Sequence, residues 1–283
     1  MGHVEYIHGG VSRNVVEDIA NIELRPTFVG IVDDSALGED VVKKLKNHKV
    51  NTDYVMTMPG GMGTWLAVFD HNGDLAGSIS QRPNLMPILG LLEEKGDEIF
   101  ANADSVIVEV DMDKDIIKKV VALAKQYNKK LYGVVSNMSI AVERRDFLKH
   151  FDCFICNQLE AGMLFMEDYA DKSPEELRDI LSKRVILGKI PAMIVTMGGN
   201  GAVYADVNGE KGICPPQRVR VKDTTGAGDA FCAGVASGLT YGKTLSEAVE
   251  IGSRLAASVI TSSENVCPRF LPEEFGITLD LSL

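Results

Sequence analysis

Short apolar runs with scarcely a polar break recur along this chain, and most are followed by a longer stretch of helical spacing. "SVIVEV" (105–110) precedes "KDIIKKVVALAKQYN" (114–128), and "PTFVGIV" (26–32) precedes "GEDVVKKLKNHK" (38–49). "KLYGVV" (130–135), "CFIC" (153–156) and "AMIVTM" (192–197) are runs of the same continuous kind. A strand that is apolar on both sides must be covered on both faces, which is the condition of a parallel sheet between helical layers. "KSPEELRDIL" (172–181) adds a helix start, with Ser173 as N-cap, Pro174 at the first position and Glu176 three residues after the cap. The expected fold is α/β, a three-layer α/β/α sandwich around a mostly parallel central sheet. No repeat or linker divides the chain, so residues 1–283 read as one domain.

One segment breaks the alternation. "DYVMTM", "GTWLAVFD" and "DLAGSIS", within 53–80, are three strand-like runs in succession, and Asn72-Gly73 between the last two is a hairpin signal. Three readings stay open for this inserted antiparallel β unit: a lid over a site, a dimerisation surface, or a plain surface hairpin.

The net charge of −11, with no basic stripe to offset it, argues against nucleic acid as a partner. No apolar run of bilayer length and no leader pattern points to a membrane or to secretion. Five cysteines, an odd count without repeating spacing, suit a reduced, cytoplasmic chain, and the C-x-x-C of Cys153 and Cys156 reads as packing.

The barest stretch is Gly226-Ala227-Gly228-Asp229, in "VKDTTGAGDAFCAGVASG" (221–238). "RVRVKD" (218–223) reads as a strand and "DAFCAGVASGL" (229–239) as a helix, so the glycines fall where a helix opens. Unpaired amides there sit at the positive end of the helix dipole and suit an anion. A carboxylate beside bound phosphate is unfavourable unless the phosphate is moving. The combination then makes sense, because the amides hold the transferred group and Asp229 takes a proton from the attacking hydroxyl.

"DTTGAGDAF" is similar to the C-terminal signature of the ribokinase-like (PfkB) carbohydrate and nucleoside kinases. The resemblance implies Asp229 as catalytic base and Gly226, Ala227 and Gly228 as anion hole, with Thr224 and Thr225 on the nucleotide side. "CNQLEA" resembles the family's N-x-x-E, implying Asn157 and Glu160 near Mg²⁺ and the nucleotide phosphates. "VTMGGNGA" resembles its T-x-G-x-x-G, implying Thr196, Gly198 and Gly201 at the ATP site. "GGVSRN" resembles the substrate-binding G-G-x-x-x-N, implying Gly9, Gly10, Arg13 and Asn14. "IVDDSALG" resembles the neighbouring acidic motif, implying Asp33 or Asp34, and Thr64 opens the strands that fall where the family has its lid. The resemblance further implies ATP, Mg²⁺, a monovalent cation such as K⁺ near Asp223, and a homodimer through the lid.

Within the family, "GGVSRNVVEDIANI" and "GTWLAVFDHNGDLAGSIS" most resemble the pseudouridine-kinase branch, which implies phosphorylation of a nucleoside 5′-hydroxyl. Two segments depart from that branch: "VVSNM" (134–138) carries no acid, and "ISQRPN" (79–84) replaces the usual end of the hairpin. Only eight residues precede Gly9-Gly10, so the family's first core strand is expected to be missing before residue 1. The expected function is ATP-dependent phosphorylation of a nucleoside or sugar. The alternative is a non-catalytic nucleotide- or sugar-binding protein on the same fold. A dinucleotide-dependent dehydrogenase is disfavoured, because no glycine-rich turn follows the first strand with an acid placed for a ribose.

Overall fold

The computed structural model describes residues 7–69 and 75–279. Helix α1 (Val11–Asn21) comes first, then β1 (Thr27–Val32), α2 (Ala36–Asn47), β2 (Asn51–Thr57), β3 (Thr64–Phe69) and β4 (Leu75–Gln81). Next are α3 (Pro87–Asn102), β5 (Ser105–Glu109), α4 (Lys114–Gln126), β6 (Lys130–Val134) and the single turn α5 (Met138–Ala141). The chain continues through β7 (Cys153–Asn157), α6 (Gln158–Phe165), α7 (Pro174–Gly188), β8 (Ala192–Thr196), β9 (Ala202–Asp206) and β10 (Lys211–Cys214). Helices α8 (Ala227–Thr240) and α9 (Leu245–Ile260) close the fold.

The central sheet runs in the order β10-β9-β8-β7-β6-β5. Strands β5 to β8 are parallel to one another, while β9 and β10 run antiparallel at one edge. The three-layer α/β/α architecture with a mostly parallel sheet is therefore present. Its cause is visible in alternate side chains. Phe154, Cys156, Met193, Val195, Val203 and Ala205 turn to the layer of α3, α4, α6 and α7. Cys153, Ile155, Ala192, Ile194, Ala202 and Tyr204 turn to the layer of α1, α8 and α9. The two cysteines of "CFIC" thus belong to opposite faces of the sheet. Both are buried with raised thiol pKa values, as packing residues should be. Ser173 caps α7 through the Glu176 amide, and the Glu176 side chain accepts from the Ser173 amide in return.

Two expectations change. "DYVMTM" does not join the inserted strands: β2 pairs in parallel with β1 in a separate two-stranded sheet. The antiparallel unit is β3 with β4 alone, in which Leu66 lies opposite Ile79. The Asn72-Gly73 turn between them lies outside the described residues. "RVRVKD" is not a strand, and Val219 and Val221 are exposed. Pro215-Pro216 directly follows β10 and supplies no amide hydrogens there, so the ladder ends and the segment runs on as open chain. Its one backbone tie among the described residues is the Lys222 amide donating to the Ile260 carbonyl at 2.8 Å.

Candidate active site

Asp229 lies in the first turn of α8, at the side of the sheet where β5, β6, β7 and β8 end. Gly226 is the N-cap, in the left-handed region at φ 81°. A Cβ there would come within 2.0 Å of the Asn265 carbonyl oxygen, so only glycine lets the chain enter α8 against the 265–267 segment. At Gly228, by contrast, a Cβ would meet nothing within 4 Å. That glycine faces open space over a bare backbone. The Ala227 amide is spent on the Thr224 carbonyl at 3.2 Å, whereas those of Gly226, Gly228 and Asp229 have no partner among the described residues. Of the three amides that the resemblance assigns to an anion hole, those of Gly226 and Gly228 are open and that of Ala227 is not, while the Asp229 amide is open beside them. A phosphate or phosphoryl oxygen fits them.

The Asp229 carboxylate is half-buried, and Asn14 Nδ2 donates to its Oδ2 at 2.6 Å. Burial is the main cause that pushes its pKa up to about 7. The Asn14 hydrogen bond opposes the shift, Glu109 and Glu160 add to it, and Arg13 opposes it. Asn14 reaches this carboxylate because α1 packs along α8 and its N-terminus starts from Gly10, itself at φ 103°.

The Arg13 guanidinium is turned back onto α1 and the 8–9 loop. Its Nε donates to the Gly9 carbonyl at 2.8 Å, Nη1 to Glu17 Oε1 at 2.6 Å and Nη2 to the His8 carbonyl at 2.6 Å, and it also contacts Asn14 Oδ1. Asp33 accepts from the amide and hydroxyl of Ser35, the residue that caps α2, and lines a cavity of about 400 Å³ against Val42, Lys43 and Lys46. Asp34 is exposed, and Thr64 sits at the root of the hairpin opposite Gln81. Among the described residues, no hydrogen bond or ion pair joins Asp33, Asp34 or Thr64 to Asp229.

Asn157 and Glu160 form a capping box on α6: Glu160 N donates to Asn157 Oδ1 at 2.9 Å and Asn157 N to Glu160 Oε2 at 2.7 Å. Their first role is to start that helix, and no cluster of three or more metal-ligating side chains forms among the described residues. What remains is a carboxylate, raised in pKa by burial, beside the base; this suits outer-shell contact with a hydrated divalent ion. Asp223 likewise holds its own loop: its Oδ1 accepts from the Thr225 amide at 2.8 Å, which lowers its pKa. Thr196 ends β8 beside Asn157 of β7, and the turn after it places Gly198 and Gly201 at positive φ. A Cβ at Gly201 would strike the Cys214 carbonyl oxygen at 2.1 Å, while the space at Gly198 is open.

The structure adds residues that the motifs omit. Glu109, the last residue of β5, accepts from Ser12 N at 3.0 Å and Ser12 Oγ at 2.7 Å, and burial raises its pKa. Buried Asp111 takes Arg82 Nη2 at 2.7 Å on one oxygen and Ser136 N at 2.9 Å on the other. This ties the hairpin's exit to the edge of the sheet. The signal available was an acid at the very end of an apolar strand, "SVIVEV". A charge there is costly unless it faces a polar cleft.

The sequence profile of the pfkB family carbohydrate kinases matches residues 1–267. The chain belongs to that family. It is 34% identical over 273 residues to a guanosine-inosine kinase of Exiguobacterium acetylicum, covering 94% of this chain and 87% of that protein. Identity to a pseudouridine kinase of Escherichia coli is 23%, over 92% of this chain and 82% of the relative. Among solved structures, an Arabidopsis thaliana ribokinase complexed with ribose and ATP superposes with a TM-score of 0.79 at 20% identity, covering 92% of this chain and 84% of the other. This kinase therefore has the ribokinase-like fold, and its sequence relatives phosphorylate sugars or nucleosides. No helix among its described residues is long and apolar enough to cross a membrane.

Proposed function

We propose that this kinase transfers the γ-phosphoryl group of ATP to the 5′-hydroxyl of a nucleoside, with a 6-oxopurine nucleoside such as guanosine or inosine as the acceptor. The observation that carries the phosphoryl-transfer step is Asp229, half-buried and raised to about pKa 7, placed one residue beyond the open amide of Gly228. The guanosine-inosine kinase, the more similar of the two nucleoside kinases above, supports the acceptor class. Pseudouridine is the second reading, supported by Arg13-Asn14 in the first motif and by the 23% relative.

In this reading Asp229 takes the proton of the acceptor hydroxyl as the oxygen attacks. A carboxylate with a pKa near 7 is a stronger base than an ordinary one and is still ionised at working pH. The amides of Gly226, Gly228 and Asp229 face the charge that spreads over the transferred group, and they are fixed before the reaction begins. ATP lies along the turns at 196–201 and 223–226, and Mg²⁺ supplies charge neutralisation of its phosphates beside Glu160. That neutralisation is required here, because Glu109, Asp111, Glu160 and Asp229 otherwise present acids to an anionic substrate.

The test is ADP release with ATP and Mg²⁺ against guanosine, inosine, adenosine, pseudouridine and ribose, for the natural chain and for Asp229→Asn. Guanosine or inosine is expected to lead. Asp229→Asn should lose turnover by roughly 10²–10⁴-fold while ATP still binds. Near-normal turnover in that variant refutes the base; a lead for pseudouridine or ribose refutes the acceptor.

A further inference from the structure

We propose that Arg13 and Glu17 are positioning residues for the base, holding the Asn14 side-chain amide in the one orientation that donates to Asp229. The proposal rests on the reading of Asp229 as the general base. Asn14 is 5% exposed and uses both ends of its amide, with Nδ2 on Asp229 and Oδ1 on Arg13 Nη2. A guanidinium has five donors and no acceptor, so it can pair only with the amide oxygen. While that contact stands, the amide cannot turn over, and its NH₂ must face the carboxylate.

Arg13 is fixed in turn. Besides Asn14 it holds two backbone carbonyls of the 8–9 loop and the Glu17 carboxylate, and it is 5% exposed, so four of its five donors are spent inside the fold. Glu17 is fully buried one turn further along α1, and its second oxygen lies 3.5 Å from Lys44 Nζ of α2. Hydrogen bonds thus run from Glu17 through Arg13 and Asn14 to the Asp229 carboxylate, and Lys44 on the β1–β2 side faces the far end as an ion pair. A buried charge that loses its partner is strongly unfavourable, so the row is held in register along its length.

The consequence concerns the proton on Asp229. Other charged or titratable groups facing it are Glu109 from β5, Glu160 from α6, Asp18 from α1 and Cys232 from α8. Of these, Glu109 and Glu160 favour the neutral acid, while Arg13 favours the ionised one. Donation from Asn14 is the neutral contact that favours the ionised base. With Arg13 gone the amide is free to turn its oxygen to the carboxylate, which both removes a donor and adds repulsion.

The experiment follows the Asp229 carboxyl directly. Carbon-13 NMR on ligand-free protein labelled at aspartate, with the signal assigned by its loss in Asp229→Asn, gives the carboxyl pKa in the natural chain, Arg13→Met, Arg13→Lys and Glu17→Gln. The expected result is a rise of roughly one unit or more in Arg13→Met, partial return in Arg13→Lys, and a smaller rise in Glu17→Gln. Kinetics with guanosine and ATP should show turnover lost near pH 6 and recovered toward pH 9 in Arg13→Met, with the ATP KM unchanged. An unmoved Asp229 signal in Arg13→Met overturns the proposal. If that variant does not fold, an unmoved signal in Glu17→Gln overturns it. An active Asp229→Asn would instead refute the base reading, whatever the carboxyl signal does.

Discussion

In the proposed mechanism Asp229 is the base, and its burial, opposed by the Asn14 hydrogen bond, sets the pH at which it ionises. Because burial raises the folded-state pKa to about 7, a base that must be ionised to act is progressively lost as pH falls through 7. The expected outcome is a kcat/KM that drops about tenfold per unit below pH 7 and is flat above it, read at saturating ATP. A limb near pH 4 would show that the carboxylate is fully solvated and that its enclosure contributes nothing. At this scale the sequence discloses the residues whose chemistry is local. Asp229 and Gly228 stand out because bare backbone beside one acid has few other uses. Glu109 does not stand out, since nothing nearby in sequence marks it, whereas Glu17 is legible as the partner of Arg13 four residues earlier on α1. Glu109 meets Ser12 only because α1 lies across the end of β5. Asn157 and Glu160 show the converse: the motif is legible, yet what the side chains do first is cap α6.

The position of Asp229 depends on how closely α8 approaches α9. Gly234 and Gly252 meet at this crossing, where a Cβ on Gly234 would lie 2.8 Å from Gly252 Cα and a Cβ on Gly252 would lie 2.7 Å from the Phe231 carbonyl oxygen. No rotamer relieves a clash with backbone, so Gly252→Ala must push the helices apart. It is expected to destabilise the fold by about 1–3 kcal/mol. It should also lower kcat more than the ATP KM, because α8 carries the base and its amides together. Loss of stability with kcat intact would show that the crossing supports the core only. Element types were legible where burial decides them. Strands β6, β7 and β8 are covered on both faces, so composition alone marks them. "RVRVKD" alternates as well as any strand, but a ladder needs a partner, and Pro215-Pro216 closes off the neighbouring edge. "DYVMTM" was legible as a strand but not in its pairing, because its partner β1 lies across a helix in the chain. Pairing is a property of the assembled sheet.

Over the whole molecule, the chain's beginning and end are joined through α1. Asp18 Oδ1 accepts the Cys267 amide at 2.6 Å, Asn21 Nδ2 donates to the Cys267 carbonyl at 2.6 Å, and Asn265 Nδ2 donates to the His8 carbonyl at 2.9 Å. The same 265–267 segment packs against Gly226, so the joint also shapes the turn that opens α8. Asp18 is fully buried, its Oδ2 has no partner among the described residues, and burial pushes its pKa up to about 8. Its folded-state pKa therefore exceeds its unfolded value, and the folded chain binds a proton that the unfolded chain has released. The resulting stabilisation is fully present below about pH 4 and is lost as pH rises to about 8, with Asp229 adding the same sign up to about 7. Asp18→Asn keeps the acceptor for Cys267 and removes the ionisation. Its melting temperature should fall less steeply from pH 5 to 8 than that of the natural chain. By pH 8 it should exceed the natural chain by several degrees, at about 2–4 °C per kcal/mol for a chain of this size. Parallel melting curves across that range would mean that Asp18 stays ionised in the fold. The joint between α1 and the 265–267 segment would then be held by a charge whose partner lies elsewhere.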